Sequence, residues 1–320
     1  MNLLTTDGDL HALGPEWDAL WRRTPGAVPF QSPRWLLPWW RQFGTGQPHV
    51  ATLRRGGGEL AGILPLYVYE GRLLPIGAGL SDMLDVLAPG AEEATALLGF
   101  ALNEAERRGI AACDLIELPP DARLLTAPSP WPATVQPSDP CPVLPLAPGL
   151  PAVPSRQLRK LRMSRHRAER AGGWRVSSAD AGSLPALQDR LFVLHQARWT
   201  TQGQPGVFAD GRVAALHREA GPALLEAGLL RVGAVHLRGS VAAVIAALLA
   251  PDAIHFYLSG FDAVHAFESP GTVLLGAMLE EAAAEGRTEA NFLRGAETYK
   301  YAWGAADRPN VMRLLRRPEG

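Results

Sequence analysis

The stretches LLGFALNEAERRG (residues 97–109) and LLGAMLEEAAAEG (residues 274–286) share seven identities in thirteen positions without a gap. Each has apolar residues at helical spacing and ends at a glycine, which suits the position after a helix C-terminus. Each is followed by a stretch with strand character, CDLIEL from residue 113 and ANFLRG from residue 290. The constant offset of 177 residues indicates that the chain contains two copies of one α/β unit.

The residues before each of these helices have the pattern of two strands joined by a glycine-containing turn, at 49–69 and at 229–250. In the second copy we expect helices at 184–201, 210–227 and 270–286 and strands at 174–179, 229–237, 241–250, 253–260, 289–294 and 311–316. This order predicts an α/β fold in which each copy is a mixed, largely antiparallel sheet flanked by helices. No GxGxxG motif follows a strand and no GxxxxGKS/T motif occurs, so dinucleotide-binding and P-loop folds are not indicated.

Twelve of the 28 prolines lie between residues 119 and 154. Proline blocks helices and removes donors from central strands, so we expect the domain junction in this stretch. The expected domains are residues 1–150 and 151–320. Directly after the junction, residues 156–171 are predicted to form a basic helix, with seven arginine or lysine residues against one acid.

The composition, 47% hydrophobic and 20% charged over 320 residues, fits a globular protein and excludes fibrous and wholly disordered classes. A net charge of −1 gives no reason to expect a nucleic acid or a membrane as a partner, unless a local basic patch provides one. The N-terminus lacks the basic region of a secretory signal, and the longest apolar run, 241–250, is too short to span a bilayer. We therefore expect a cytoplasmic protein. Cys113 and Cys141 have no metal-ligand spacing, so we expect two buried thiols and no metal.

Four segments together resemble the CelD-like branch of the GNAT acyltransferase superfamily, whose members are similar to tandem GNAT domains and related to the Fem aminoacyl transferases. The segments are PFQSPRWLLPWWRQFG (29–44), LHQARWTTQGQPGVF (194–208), YLSGFDAVHAFESPGTVLL (257–275) and NFLRGAETYKYAWG (291–304). The resemblance covers nearly the whole chain in order, and the last segment is its most specific part. It implies tandem GNAT-like domains that pass an acyl group from acyl-CoA, such as acetyl-CoA, to an amine or hydroxyl of a small acceptor held between the lobes.

The start of the helix predicted at 270–286 is the expected donor site. In GNAT enzymes the matching helix terminus holds the pyrophosphate of coenzyme A, so the resemblance implies that Ser269, Gly271 and Thr272 bind the donor, with Ser259 on the preceding strand. Serine and proline at this point are also ordinary helix punctuation. The glycine-rich Q/R-x-x-G-x-G/A loop of typical members is missing.

A polar cluster follows the strand predicted at 289–294, namely Arg294, Glu297, Tyr299, Lys300 and Tyr301. Lysine is scarce, since Lys160 and Lys300 are the two lysines of the chain. The resemblance implies that Lys300 stabilises the oxyanion of acyl transfer, that Tyr299 or Tyr301 protonates the departing thiolate, and that Glu297 acts with them. Arg294 would contact the substrate. The alternative is an ion-pair network that pins a short helix.

Other candidate residues belong to the acceptor side. His195 and Trp199 share one helical face, and the resemblance implies that they line the cleft with Phe208 and Tyr257; a structural role in the core is the alternative. In the first copy, the resemblance makes Asp85 a candidate general base and Asp82 an acceptor contact, whereas acids in such a stretch also cap turns. The aromatic residues at helical spacing are expected in the core, namely Trp35, Trp39, Trp40 and Phe43.

Two other functions fit the same fold. One is a non-catalytic scaffold or binding module, and the other is a Fem-like transferase that uses aminoacyl-tRNA. The basic helix could meet the 3′-phosphate of coenzyme A, an anionic acceptor or tRNA, and the balanced net charge makes tRNA the least favoured of these. Nucleic acid is therefore not an expected partner.

Overall fold

The computed structural model describes residues 1–201 and 203–318. The chain forms two compact units: unit 1 is Met1–Pro140 together with the chain from Arg308 onward, and unit 2 is Cys141–Asp307. The chain therefore passes from unit 1 to unit 2 at residue 140 and returns to unit 1 after residue 307.

Unit 1 begins with one strand and three helices, continues with three strands, and then alternates helix and strand. Its elements are β1 (Asn2–Leu4), α1 (Asp7–Ala12), α2 (Gly14–Arg23), α3 (Pro33–Phe43), β2 (Gln47–Arg54), β3 (Leu60–Tyr69), β4 (Arg72–Pro75), α4 (Ala91–Arg107), β5 (Ala112–Leu118), α5 (Arg123–Thr126) and β6 (Ala133–Pro137).

Unit 2 repeats this plan after one additional strand and one additional helix. Its elements are β7 (Pro142–Pro145), α6 (Ser155–Arg170), β8 (Trp174–Ser178), α7 (Leu184–Thr201), α8 (Gly211–Glu226), β9 (Leu230–Leu237), β10 (Ser240–Leu249), β11 (Ala253–Phe261), α9 (Pro270–Ala284), β12 (Glu289–Asn291), α10 (Thr298–Ala302) and β13 (Ala306–Asp307). The last strand, β14 (Val311–Arg316), belongs to unit 1.

Each unit contains one seven-stranded mixed sheet, with the order β1-β2-β3-β4-β5-β14-β6 in unit 1 and β8-β9-β10-β11-β12-β7-β13 in unit 2 when both are read in the same direction. In both sheets the third and fourth of these strands are antiparallel, and the fourth and fifth are parallel. In both, a long helix, α4 or α9, connects the fourth strand to the fifth. The duplication predicted from the two 13-residue stretches is confirmed by this shared order.

The sixth strand of each sheet comes from a distant part of the chain. In unit 1 that strand is β14, which pairs antiparallel with β5 and β6. In unit 2 the same position is filled by β7, which precedes the rest of the unit and pairs antiparallel with β12 and β13. The two copies have thus exchanged equivalent strands.

This exchange changes two expectations about the chain. The strand expected at 311–316 exists, but it joins the first sheet and not the second. The expected single boundary at 150/151 differs from the two crossings at 140/141 and 307/308. Proline content locates the junction stretch but carries no information about which sheet a later strand completes, because strand pairing is decided by non-local contacts.

Both faces of the unit 2 sheet are covered by helices. On one face, α9 and α6 pack on the sheet through a cluster that includes Leu161, Val273 and Met278. Gly276 of α9 allows this packing, since a Cβ atom there would lie 2.6 Å from Leu161 Cδ1. On the other face, α7 packs through Leu187 and its apolar neighbours.

The aromatic residues of α3 form part of the unit 1 core, as expected. Trp35, Trp39 and Trp40 are buried, and the Trp39 ring lies 5.6 Å from the ring of Tyr67 on β3. Phe43 is partly buried and stacks on Trp39 at 5.9 Å. Cys113 and Cys141 are buried and form no disulfide, which confirms the expectation of two buried thiols.

Among the described residues, no helix combines the length and apolar character that crossing a membrane requires.

The strand exchange predicts that a mutation near the C-terminus destabilises the N-terminal unit. Leu315 on β14 is fully buried in the unit 1 core, so Leu315→Ala should lower the free energy of unfolding by about 2–5 kcal/mol. Hydrogen exchange should rise in β5 and β6 and stay unchanged in β12. Leu314→Ala, at the partly exposed neighbouring position, is the matched control and should have a smaller effect. Faster hydrogen exchange confined to β12 would contradict the assignment of β14 to the sheet of unit 1.

Candidate functional site

Strands β11 and β12 run together only at their start. They pair in parallel over 253–255 and 289–291, whereas β11 continues to Phe261. β12 ends because Asn291 Oδ1 accepts the Leu293 N–H at 2.8 Å and Leu293 has a left-handed backbone, with φ 58°. The strand expected at 289–294 is therefore shorter, and the two strands separate beyond residue 291.

β11 also carries a bulge at the point where the strands separate. In the pairing with β10, Ala246 faces Leu258 and Ala247 faces Phe256, so Tyr257 is the additional residue. A bulge redirects side chains and often lies beside a binding site. Both features give the second half of β11 an edge that β12 does not cover.

The N-terminus of α9 follows this edge of β11. Ser269 is the N-cap in a left-handed conformation, and its side chain does not cap the helix; its hydroxyl donates to the Ala266 carbonyl at 3.3 Å. The Gly271 N–H donates to no acceptor among the described residues, and a Cβ atom at Gly271 would come no closer than 3.7 Å to Phe261. Thr272 N–H is bonded to the Ser269 carbonyl at 2.9 Å. The helix start thus offers a free N–H and the positive end of the helix dipole.

Helix α7 lies directly on β11 because residue 260 is glycine. A Cβ atom at Gly260 would lie 2.7 Å from the backbone nitrogen of His195 and 2.7 Å from Leu194 Cβ. This close approach brings the His195 ring to the strand, where Nδ1 lies 2.9 Å from the Ser259 carbonyl oxygen. A carbonyl oxygen only accepts, so Nδ1 carries the proton in this hydrogen bond. Nε2 then holds a lone pair and has no partner among the described residues.

The surroundings of His195 keep it neutral. Burial lowers the pKa of His195 below its usual value of 6.5; the Ser259 carbonyl opposes this shift and the nearby Arg198 guanidinium adds to it. A neutral imidazole with a fixed tautomer and a free Nε2 is suited to accept a proton.

An aromatic wall surrounds His195. The ring of Phe208 lies 5.3 Å from the His195 ring and 4.4 Å from that of Phe192, and the Trp199 ring lies 6.1 Å from His195. The sequence-predicted residues His195, Trp199 and Phe208 are therefore neighbours.

His217 on α8 is a member of this wall that the sequence reasoning missed. Its ring lies 5.9 Å from Phe208 and 5.6 Å from Tyr257, and burial lowers its pKa to about 4. No local motif surrounds His217 in the sequence, and only the packing of α8 beside α7 brings it to Tyr257. Tyr257 in turn is placed by the bulge of β11.

Lys300 is buried beneath the loop that follows β12. Its ammonium donates to the carbonyl oxygens of Leu293, Arg294 and Gly295 at 3.0, 2.8 and 3.0 Å, and it lies 2.9 Å from Glu297 Oε2. An ammonium has three protons, so these acceptors use all of them. This geometry does not fit the expected oxyanion role of Lys300. The geometry favours the alternative interpretation, in which an ion pair of Lys300 with Glu297 holds a short helix in place.

The same loop requires glycine at position 295. Gly295 has φ 110°, and a Cβ atom there would lie 2.5 Å from Glu297 Oε2. The backbone carbonyl of Arg294 accepts a hydrogen bond from the Lys300 ammonium, and the Arg294 side chain is partly buried.

Tyr299 and Tyr301 point to different surroundings. The Tyr301 hydroxyl donates to Asp307 Oδ1 at 2.7 Å on the surface. The Tyr299 ring packs edge-on against Phe292 at 6.2 Å, and its hydroxyl has no hydrogen-bond partner among the described residues. Burial raises the pKa of Tyr299 to about 12, and the Glu297 carboxylate adds to this shift while Arg198 opposes it. The Tyr299 hydroxyl is thus the one of the two whose proton is not already donated to a carboxylate.

The acids of unit 1 are held by backbone groups. Asp85 Oδ1 accepts the N–H groups of Val86 and Leu124 at 2.8 and 3.0 Å, and Oδ2 accepts that of Arg123 at 2.7 Å. Burial raises the pKa of Asp85, although these three donors oppose the shift. Both carboxylate oxygens accept backbone N–H groups, two of them at the start of α5. This geometry favours the turn-capping role of Asp85 over the role of general base. Asp82 is buried, and its carbonyl accepts the Asn310 side-chain amide.

Unit 1 also has a cavity of its own next to Asp85. It measures about 440 Å³ and is lined by three segments, 24–31, 83–87 and 119–123.

Comparison with known proteins gives one family match. Residues 155–301 match the acetyltransferase (GNAT) domain. No curated protein matches the sequence significantly.

Solved structures share the fold across the whole chain. The structure of FemX has a TM-score of 0.66 at 13% identity and covers 98% of this chain and 97% of that one. A conserved protein of unknown function from Bacteroides thetaiotaomicron has a TM-score of 0.66 at 12% identity, covering 99% and 100%. The C-terminal domain of a putative lysylphosphatidylglycerol synthetase from Agrobacterium fabrum has a TM-score of 0.61 at 12% identity, covering 97% and 92%.

These similarities and the two equivalent seven-stranded sheets lead to one assignment. Residues 155–301 match the acetyltransferase (GNAT) domain, and the chain folds into two GNAT-like units.

Proposed function

We propose that unit 2 transfers an acyl group from an acyl-CoA thioester to an amine or hydroxyl of a small acceptor. The observation that carries this proposal is the His195 imidazole, whose Nδ1–H is held by Ser259 on the uncovered part of β11 while Nε2 is free. Acyl transfer needs a group that takes the acceptor proton, a proton donor for the thiolate, and stabilisation of the developing oxyanion. Unit 2 supplies a candidate for each.

The α9 N-terminus supports the donor assignment. Its free Gly271 N–H and the helix dipole suit a pyrophosphate, and the absence of a side chain at Gly271 leaves room for the anion to approach the backbone. The uncovered edge of β11 leads to this helix start, so a thioester bound along that edge would place its acyl end near Ser259.

Three groups of unit 2 take the three chemical roles. His195 Nε2 takes the proton from the acceptor as its nitrogen or oxygen bonds to the acyl carbon. Backbone N–H groups on the uncovered edge of β11 stabilise the negative charge on the acyl oxygen, which is the role that Lys300 cannot fill with its three protons already used. Tyr299, protonated at neutral pH, donates its proton to the sulfur as the carbon–sulfur bond breaks. Solvent then returns the proton from His195 to Tyr299.

The four segments quoted from the sequence support membership of the CelD-like branch within the superfamily. The rival functions are a non-catalytic scaffold and a Fem-like transferase that uses aminoacyl-tRNA. A scaffold would show no turnover with any acyl-CoA, and an aminoacyl-tRNA enzyme would show no binding of coenzyme A at the start of α9.

Adding a negative charge at the start of α9 tests the donor site. Gly271→Glu should weaken coenzyme A binding at least about 10-fold, because the carboxylate repels the pyrophosphate, and should leave Tm unchanged or higher, because acids stabilise a first helical turn. Calorimetric titration with coenzyme A measures the affinity. Gly211→Glu adds the same charge to the first turn of α8, where the site is open, and should bind normally. Equal affinities of the two variants would reject the donor site.

Removing the base tests the role of His195. His195→Asn keeps a donor for the Ser259 carbonyl but has no proton acceptor in the place of Nε2, so kcat should fall about 100-fold or more. In the unmodified enzyme, activity should be flat near neutral pH and fall as pH drops below 6.5, since protonated His195 cannot act as a base. Acetyl transfer is followed by thiol release across a panel of amines. Retention of full activity and of the acid limb in the variant would show that His195 is structural.

The two lysines of the chain separate a structural role of Lys300 from a catalytic one. Lys300→Met leaves three carbonyls and the Glu297 carboxylate without their partner, so the free energy of unfolding should fall by about 3–5 kcal/mol. Lys160→Met, at an exposed position, should change it by less than about 0.5 kcal/mol. Urea unfolding measures both. A Lys300→Met protein of normal stability without activity would restore the oxyanion role.

A further inference from the structure

The exposed side of α6 carries positive charge that nothing in the described structure neutralises. Five of its cations are exposed and form no ion pair with a carboxylate of the described residues, namely Arg156, Arg159, Lys160, Arg162 and Arg170. We call these residues the basic face. Glu169 is the single acid of the helix, so the charge is concentrated here although the whole chain has a net charge of −1.

The inner side of α6 is fixed to α9, which holds the basic face outward. Leu161 packs where Gly276 lacks a side chain, and Arg165 forms two hydrogen bonds with Glu280, at 3.0 and 2.6 Å. The face is therefore a permanent feature of the surface and does not depend on a loop.

Exposed apolar side chains accompany the basic face. Met163 lies within it and is 47% exposed. Arg167, one turn further along α6, donates to the Phe267 carbonyl at 3.1 Å, and its guanidinium lies 4.5 Å from the Phe267 ring centre. Phe267 is 68% exposed, and Val264 in the same loop is 83% exposed. Cations and exposed apolar residues are thus joined on one surface.

We propose that the basic face of α6, with Met163, Val264 and Phe267, docks unit 2 on an anionic lipid bilayer. Clusters of four to eight arginine or lysine residues on a helix are attracted to anionic headgroups. Apolar side chains beside them gain by entering the boundary between headgroups and acyl chains, where water is expelled from their surface. The balanced net charge predicts no membrane partner, but attraction over a few ångströms is decided by local charge, because salt screens the distant acids.

The apolar residues favour a bilayer over a nucleic acid. Single-stranded nucleic acids are held by aromatic faces on which bases stack. Met163 and Val264 have no such face, and the Arg167 guanidinium already lies over the ring of Phe267. A bilayer would bury the apolar surface of these side chains, whereas a bound nucleic acid would leave that surface exposed to water.

Docking would have a consequence for the start of α9. The loop that carries Val264 and Phe267 leads directly to Ser269, so a docked protein holds this helix terminus near the bilayer surface. The docking surface itself does not depend on acyl transfer, since none of its residues belongs to the proposed catalytic machinery.

Vesicle sedimentation of the full chain tests the proposal. The protein should sediment with vesicles of phosphatidylcholine that contain about 30% phosphatidylglycerol and stay in solution with phosphatidylcholine alone. Arg159→Glu/Arg162→Glu should weaken binding at least about 10-fold, and so should about 0.5 M salt. Val264→Ser/Phe267→Ser should also weaken it, by about 5-fold or more, while leaving its salt dependence unchanged.

Arg55→Glu/Arg108→Glu is the matched control, because it makes the same change of charge at two exposed arginines of unit 1. It should bind as the unmodified protein does, and thermal unfolding of all variants shows whether each is folded. Equal sedimentation with neutral vesicles, equal loss in the control, or no sedimentation with either vesicle would overturn the proposal. Binding of RNA with the same arginine dependence, without vesicle binding, would assign the basic face to nucleic acid instead.

Discussion

The exchange of β7 and β14 is the constraint on which the rest of the structure depends. Each sheet needs a sixth strand beside its fifth, and each receives it from beyond the segment that builds the other strands. β5 or β12 would otherwise present an unpaired edge in the interior of its sheet, where backbone groups must be hydrogen-bonded. The sheet of unit 1 is complete only when β14 returns from beyond unit 2, whereas unit 2 is continuous from Cys141 to Asp307 and its sheet is completed by its own first strand, β7.

A local turn determines where the fifth strand of unit 2 ends. β12 is held on one side by β7 and on the other by β11, but Asn291 and the left-handed Leu293 turn the chain away after three residues. The buried Lys300 ammonium stabilises this turn because it donates to the carbonyl oxygens of Leu293, Arg294 and Gly295. Beyond this turn no strand pairs with the second half of β11 on that side among the described residues.

The candidate site combines a candidate base, His195, with a candidate acid, Tyr299. Burial lowers the pKa of His195 and raises that of Tyr299, since it disfavours the charged form of each group. Near neutral pH the site therefore holds a neutral imidazole that can accept a proton and a neutral phenol that can donate one. Gly260 makes this possible for His195, because only a residue without a side chain lets α7 approach β11 so closely.

Local sequence patterns determined the order and type of the elements from α6 to β12, the duplication, and the buried aromatic residues of α3. These depend on periodicity and on glycine and proline signals, which act over a few residues. Tertiary structure alone decided that β14 completes unit 1, that His217 lies beside Tyr257, and that Asp85 caps α5. It also decided that Lys300 faces three carbonyls, whereas its scarcity and its Tyr-Lys-Tyr context had indicated catalysis. The physical reason is the same in each case: a side chain's partners are set by which distant segments pack around it, and the pairing of distant strands leaves no mark at helical or strand spacing in the sequence.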